Sequence, residues 1–130
     1  MLVAGLILAA LAAALHVYIF WMESVAWEGP AARKTFGIGS AEEAKVTKPL
    51  AFNQGFYNLF LALMAAGGVI AVATGARTVG LTLVLAGAGS MLAAALVLLL
   101  SSRQHRAAAL KQGTLPLLAV LFTALGAALA

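Results

Sequence analysis

Four stretches of the chain contain no Asp, Glu, Lys or Arg: residues 1–22, 49–76, 78–102 and 112–130. A helix rises ~1.5 Å per residue and the hydrocarbon core of a bilayer is ~30 Å thick, so each stretch is long enough, or nearly so, to cross a membrane. The sequence therefore predicts an all-α integral membrane four-helix bundle. Residues 1–130 are expected to form a single four-span transmembrane domain.

Composition supports this interpretation. The 130 residues are 64% hydrophobic and 9% charged, and the mean hydropathy is +1.05. A soluble domain of this size has too little interior to hide that much apolar surface. The absence of cysteine excludes thiolate metal sites and cysteine nucleophiles. The expected partner is the lipid bilayer and not nucleic acid, because the basic residues lie between the hydrophobic stretches.

The basic residues predict the orientation in the membrane. Loop 1 (about residues 23–48) and loop 3 (residues 101–111) together hold Arg33, Lys34, Lys45, Lys48, Arg103, Arg106 and Lys111, whereas the opposite side has Arg77. Lys and Arg are enriched in cytoplasmic loops, so loops 1 and 3 are predicted to be cytoplasmic and both termini periplasmic, in a bacterial inner membrane. Residues 1–22 lack a basic n-region and are interpreted as a retained first span.

The expected spans are about residues 2–22, 49–73, 79–100 and 112–130. Span 1 is predicted to stay helical towards Trp27. Gly29-Pro30 is expected to break the helix, and Ser40 with Glu43 has the spacing of a capping box for a short interfacial helix. Pro49 suits the first turn of span 2.

Each span has a face of small or polar residues, which lets helices approach closely in lipid. These faces are Gly5, Ala9, Ala12, His16 and Glu23 in span 1; Gln54, Asn58, Ala62 and Ala65 in span 2; Gly80, Gly87, Ser90, Ala94 and Ser101 in span 3; Gln112, Pro116, Ala119, Thr123 and Gly126 in span 4. The faces are predicted to meet in the bundle. The outer Leu and Val surfaces suit lipid or another copy equally, which leaves a homo-oligomer open.

Polar residues indicate a site at the side of loops 1 and 3. His16, Glu23 and Trp27 are spaced i, i+7 and i+11, so a continuous helix presents them on one face. Counting depth along the spans matches Asn58 to His16, and Asn53 or Gln54 to Glu23. The candidate catalytic residues are His16 and Glu23, and the candidate ligand-binding residues are Asn53, Gln54, Asn58, Tyr57, Gln112 and Trp27.

Structural roles compete with these functional ones. His16 can hydrogen-bond to Asn58 as interhelical glue, Glu23 can pair with Arg33 or Lys34, and tryptophans at this depth commonly anchor a span. No metal is expected, because His16 and Glu23 are too far apart on one helix to share an ion. The sequence identifies no cofactor, and the absence of Asp excludes a Ser/His/Asp triad.

Four segments together resemble a bacterial family catalogued as domain of unknown function 1304. They are His16-Val-Tyr-Ile-Phe-Trp-Met-Glu23, Arg33-Lys-Thr-Phe-Gly37, Asn53-Gln-Gly-Phe-Tyr-Asn58-Leu-Phe-Leu-Ala62 and Gln112-Gly-Thr-Leu-Pro116. The similarity covers essentially the whole chain. It implies a small four-span inner-membrane protein and no particular activity.

At the level of topology the chain is also similar to the membrane-associated proteins of eicosanoid and glutathione metabolism. Those proteins are four-span trimers with outside termini, a cytoplasmic glutathione site and an Asn-x-x-Glu motif on helix 2, and the likeness is one of topology alone. The corresponding stretch here offers Gln54 and Asn58 without a Glu, and the arginines that such proteins use for glutathione are not evident.

Three functions remain open from the sequence. The first is a protein that binds, or chemically modifies, a small amphipathic or lipid-like ligand in a polar pocket at the cytoplasmic side. The second is a small transporter or channel subunit, and the third is an accessory or assembly protein without a ligand. A conduit needs polar groups at the midplane and on both sides, whereas this chain concentrates its amides on one side, which favours the first.

Overall fold

The computed structural model describes residues 1–129, and across that range it consists of five α-helices. They are α1 (Leu2–Phe20, continued by a π-helical turn over Trp21–Val25), α2 (Pro30–Phe36), α3 (Ala41–Ala73), α4 (Arg77–Ser101) and α5 (Arg106–Ala128). Four helical segments are long and apolar enough to cross a membrane: Leu2–Val25, α3, α4 and α5. The predicted all-α fold is therefore confirmed, and the chain has the make-up of a multi-pass membrane protein.

The four long helices form a ring in which chain neighbours are spatial neighbours. Helix α1 packs on α3, α3 on α4, α4 on α5, and α5 closes the ring against α1. A tight turn joins α3 to α4, where Gly75 has φ +94°, a conformation that side chains with a Cβ rarely adopt. The short helix α2 lies beside the π-helical turn, on the same end of the bundle as the α4–α5 loop.

Small residues fill the interior of the bundle, as the sequence predicts. One buried cluster joins Ala12, Ala13, Ala62, Ala65 and Met91, and a second cluster joins Ala9, Val84, Ala88 and Ala119. Large aliphatic and aromatic side chains point outward instead, among them Leu50, Leu100 and Phe60. Close backbone approach therefore replaces the bulky core of a soluble protein, because lipid provides no hydrophobic force between helices.

The predicted inner face of α4 is wrong towards its C-terminal end. Gly80 and Gly87 are buried as expected, but Ser90, Ala94 and Ser101 are exposed. The buried row is Gly80, Val84, Gly87, Ala88, Met91 and Ala95. A strict seven-residue step drifts ~20° per heptad around a straight helix, so Ala94 and Ser101 leave the tightly packed centre and line the open cavity at this end of the bundle instead.

The helix boundaries near the loops also differ from the prediction. The first helix ends at Val25 and does not reach Trp27, and Pro30 begins α2 because its fixed φ suits the first helical position. Span 2 is part of one 33-residue helix that starts at Ala41 and contains Pro49 in its interior. Similarly, α5 starts at Arg106, six residues before the expected start of span 4.

The predicted N-cap at Ser40 is confirmed, but the Glu43 side chain bonds the Gly39 N–H and not the Ser40 N–H of a capping box. Ser40 Oγ accepts the Glu43 backbone N–H at 3.1 Å, and Glu43 Oε2 accepts the Gly39 N–H at 2.9 Å. These bonds satisfy backbone donors at the helix N-terminus. The helix that they begin continues straight into the second span instead of ending as a separate interfacial helix.

Gly68 and Gly67 provide a matched test of close packing. A Cβ on Gly68 would lie 2.6 Å from the Val84 N and 2.7 Å from the Gly80 O, whereas a Cβ on Gly67 has nothing within 4 Å. We expect Gly68→Ala to lower the free energy of unfolding by ~1–3 kcal/mol through forced separation of α3 and α4. Gly67→Ala should leave it unchanged or raise it by up to ~1 kcal/mol. Unfolding in mild detergent measures both, and equal effects would contradict the close approach.

Candidate functional site

A cavity of about 620 Å³ lies at the end of the bundle that carries both polar loops. All four long helices, α2 and the α4–α5 loop contribute to it. The lining residues are His16, Glu23, Trp27, Phe36, Ile38, Glu43, Thr47, Gln54, Asn58, Met91, Ala94, Val97, Leu98, Ser101, His105 and Gln112. Its outer part carries exposed side chains such as Glu43 and Gln54, so the cavity opens to the surface there.

The π-helical turn of α1 places Glu23 against α3. The turn closes through an Ala26 N–H to Trp21 O bond of 2.9 Å, and it buries both Met22 and Glu23. Ser24 Oγ donates to the Phe52 backbone O at 2.8 Å. A Cβ on Gly55 would collide with Ser24 Oγ, so glycine at this position is what lets the turn approach α3.

Glu23 is paired with Asn58, not with the amides that depth counting assigned to it. Asn58 Nδ2 donates to Glu23 Oε2 at 2.7 Å, although the two residues are 35 positions apart. The expected match of Asn58 to His16 is therefore wrong by about one helical turn. The error arises because Gly55, rather than a residue nearer the start of the span, faces the turn at Glu23 and Ser24.

His16 faces the bundle, as predicted, and is 2% exposed. Its Nδ1 lies 2.9 Å from the Ala12 carbonyl oxygen of its own helix. A carbonyl accepts, so Nδ1 carries the hydrogen, and in the neutral imidazole Nε2 is then an acceptor. Nε2 has no hydrogen-bond partner among residues 1–129, and His16 lines the cavity.

Aromatic residues from the loops cover part of the cavity. Trp27 lies in the turn after α1 and lines the cavity. Its Nε1 donates to Thr47 Oγ1 at 3.0 Å. Its ring packs on Phe36 of α2 with centroids 5.3 Å apart. Trp27 therefore has fixed partners inside the protein, in addition to any anchoring role at a membrane surface.

His105 ties the α4–α5 loop to α2. Its Nε2 donates to the Phe36 carbonyl oxygen at 3.0 Å, and its Nδ1 lies 2.7 Å from Ser102 Oγ. The sequence places His105 among basic loop residues and gives no sign of this contact, because its partner is a backbone atom 69 positions away. The two polar loops are thus joined over the cavity.

Six of the eight predicted site residues line the cavity: His16, Glu23, Trp27, Gln54, Asn58 and Gln112. Asn53 and Tyr57 lie outside it on the exposed side of α3, and Tyr57 is 60% exposed. Sequence reasoning missed the apolar wall that α4 supplies through Met91, Ala94, Val97 and Leu98. That wall is made of ordinary span residues, so only the helix arrangement singles it out.

Charge is arranged unevenly around the site. Two of the chain's four acidic residues, Glu23 and Glu43, line the cavity, and within residues 1–129 no Lys or Arg does. The predicted pairing of Glu23 with Arg33 or Lys34 does not occur, and the ion pair of this region joins Lys48 to Glu28. The hydrogen bond from Lys48 and its positive charge lower the pKa of the exposed Glu28 carboxyl.

Among residues 1–129, no three His, Cys, Asp or Glu side chains converge to hold a metal ion.

Comparison with known families places the chain. A family model described as "protein of unknown function (DUF1304)" matches residues 10–124, which include most of all four long helices. The chain belongs to this family. No curated protein and no solved structure matches it. The resemblance to the 1304 family is therefore confirmed. The match extends over nearly the whole chain and assigns no activity.

Asn58 and Asn53 test the contact to Glu23. Asn58→Leu removes the donor to a carboxyl group that is 7% exposed, so we expect a loss of ~1–3 kcal/mol in the free energy of unfolding. Asn53→Leu makes the same chemical change on the exposed side of the same helix, and we expect an effect within ~0.5 kcal/mol. Unfolding in mild detergent measures both variants. Similar losses for the two would show that the Asn58–Glu23 bond contributes little.

Proposed function

We propose that this protein binds a small amphipathic or lipid-like ligand in the cavity at the end of the bundle that carries loops 1 and 3. The observation that carries the proposal is the composition of the cavity wall. His16, Glu23 and Asn58 supply a polar side on α1 and α3, and the α4 residues supply an apolar side. A ligand with a polar head and an apolar tail satisfies both surfaces at once.

The size of the cavity and the cost of an empty polar site support ligand binding. Sites for small molecules measure ~300–1,000 Å³ and combine an apolar wall with a few polar groups, and a cavity of about 620 Å³ lies in that range. Unpaired polar groups are costly next to hydrocarbon. Asn58 satisfies one oxygen of Glu23, while His16 Nε2 has no partner among residues 1–129 and is available to water or a ligand.

The opposite half of the bundle argues against a conduit. There the interior is closed by the cluster of Ala9, Val84, Ala88 and Ala119, and Gly5 packs so closely on α5 that a Cβ would lie 2.6 Å from the Thr123 N. A transporter or channel subunit needs polar groups across its whole depth. A binding role therefore explains more of the interior than a transport role does. An assembly role without a ligand does not explain the cavity. The catalytic role of His16 and Glu23 stays a prediction.

Residues 93 and 94 test ligand binding. Ala94 lines the cavity and Ala93 does not, although both are exposed positions on α4. Ala94→Phe places a ring in the cavity, so we expect the dissociation constant of a co-purifying small molecule to rise by about tenfold or more, a difference of ~1.4 kcal/mol, and its occupancy to fall. Ala93→Phe should retain it. Native mass spectrometry of protein in mild detergent measures the occupancy. A wild-type cavity that holds only water, or equal occupancy in both variants, would contradict the proposal.

The membrane orientation is proposed from the seven-to-one distribution of basic residues between the two sides. In a bacterial inner membrane it places loops 1 and 3 in the cytoplasm and both termini in the periplasm. Alkaline phosphatase fused after Leu129 should be active, because that enzyme requires the periplasm, and the same reporter fused after Gln104 should be inactive. The reverse pattern would show that the cavity opens to the periplasmic side.

A further inference from the structure

The buried polar atoms that remain free in the cavity, Glu23 Oε1 and His16 Nε2, are hydrogen-bond acceptors, whereas the amides of Gln54 and Gln112, which also carry donors, line it at less buried positions. Glu23 Oε2 accepts from Asn58, and Oε1 has no partner among residues 1–129. His16 uses Nδ1 as a donor to Ala12, which leaves Nε2 with a lone pair. In the described part of the chain, the buried side-chain polar atom that lacks both a partner and contact with open space is Thr123 Oγ1. Oε1 and Nε2 are therefore accessible from the cavity.

The charges that line the cavity favour a headgroup that carries donors and a positive charge. The chain as a whole is basic, with eight Lys and Arg against four acidic residues, but the charged residues that line the cavity are Glu23 and Glu43. A carboxylate or phosphate headgroup carries negative charge, so it would be repelled by these two carboxylates. An ammonium headgroup offers three N–H donors and a positive charge, so it complements both.

The aromatic part of the lining also suits a cation. Trp27 and Phe36 pack together at the cavity, and the face of an aromatic ring attracts a cation within ~6 Å. Met91, Val97 and Leu98 provide the apolar surface that a hydrocarbon tail requires. Polar acceptors, carboxylates and aromatic rings thus line one side, and aliphatic side chains line the other.

We infer that the ligand of this cavity is an amphiphile with a protonated amine as its headgroup, and that the ammonium binds Glu23 Oε1. This inference rests on the proposed function, because it names the class of ligand for the same site. The tail lies along the α4 wall.

Three probes with equal tails test the inference: dodecylammonium, dodecanol and dodecanoate. Each is titrated into protein in nanodiscs of neutral lipid, and the signal of Ala94→Phe is subtracted to remove partitioning into the lipid. We expect dodecylammonium to bind about tenfold or more tightly than dodecanoate, because a close charge pair away from water discriminates strongly. Dodecanol should fall between them.

Glu23→Gln separates charge from shape. The amide keeps the size of the side chain and an oxygen that can accept from Asn58, so the preference for dodecylammonium over dodecanoate should fall by about tenfold. The control is Glu42→Gln, which removes the same charge from an exposed residue outside the cavity. It should keep the preference of the wild type.

The outcomes distinguish this inference from the proposed function. If all three probes bind the wild type equally, or dodecanoate binds best, the ammonium assignment is overturned and the binding function stands. If no probe binds above the Ala94→Phe signal, both are overturned. The comparison of probes on the wild type is decisive by itself, so a Glu23→Gln variant that fails to fold does not remove the test.

Discussion

Close contact between helix backbones at glycine and alanine is the constraint on which the structure depends. Lipid tails solvate leucine as well as another helix does, so association needs dense van der Waals contact. The α3–α4 pair meets at Gly68 and Gly80, and the α1–α5 pair meets at Gly5 and Gly126, where an added Cβ would overlap the opposite backbone. These contacts fix how the four helices are rotated, and the rotation decides which side chains share the interior.

The site follows from the uneven distribution of this packing. The glycine contacts named above lie towards the end that carries the chain termini and the α3–α4 turn, and the cavity lies at the other end. There the π-helical turn inserts Glu23 between helices, and Gly55 gives it the room to do so. The loops then join over the opening through His105 and the Phe36 carbonyl oxygen. A tightly packed half thus supports an open half with a polar lining.

The chemistry of the lining is explained by how the surrounding backbone uses each polar group. Ala12 occupies Nδ1 of His16 and Asn58 occupies one oxygen of Glu23, so the remaining nitrogen and oxygen both accept. Neither residue type dictates this result, because a histidine can present a donor as readily as an acceptor. The proposed preference for a positively charged headgroup rests on the Glu23 oxygen that Asn58 leaves free.

The sequence by itself determined the environment, the helix count of the bundle and most of the small-residue faces. Long charge-free runs have one stable solution in lipid, and the stripes in α1 and α5 are buried as their spacing predicts. It also predicted six of the sixteen cavity residues, because amides and ionisable groups within a span are conspicuous. The tertiary structure alone decided the partner of Glu23, the α4 wall and the contact of His105. Those depend on the register between helices, which differs from depth counting by about one turn, and no local pattern in the chain encodes where two helices distant in sequence meet.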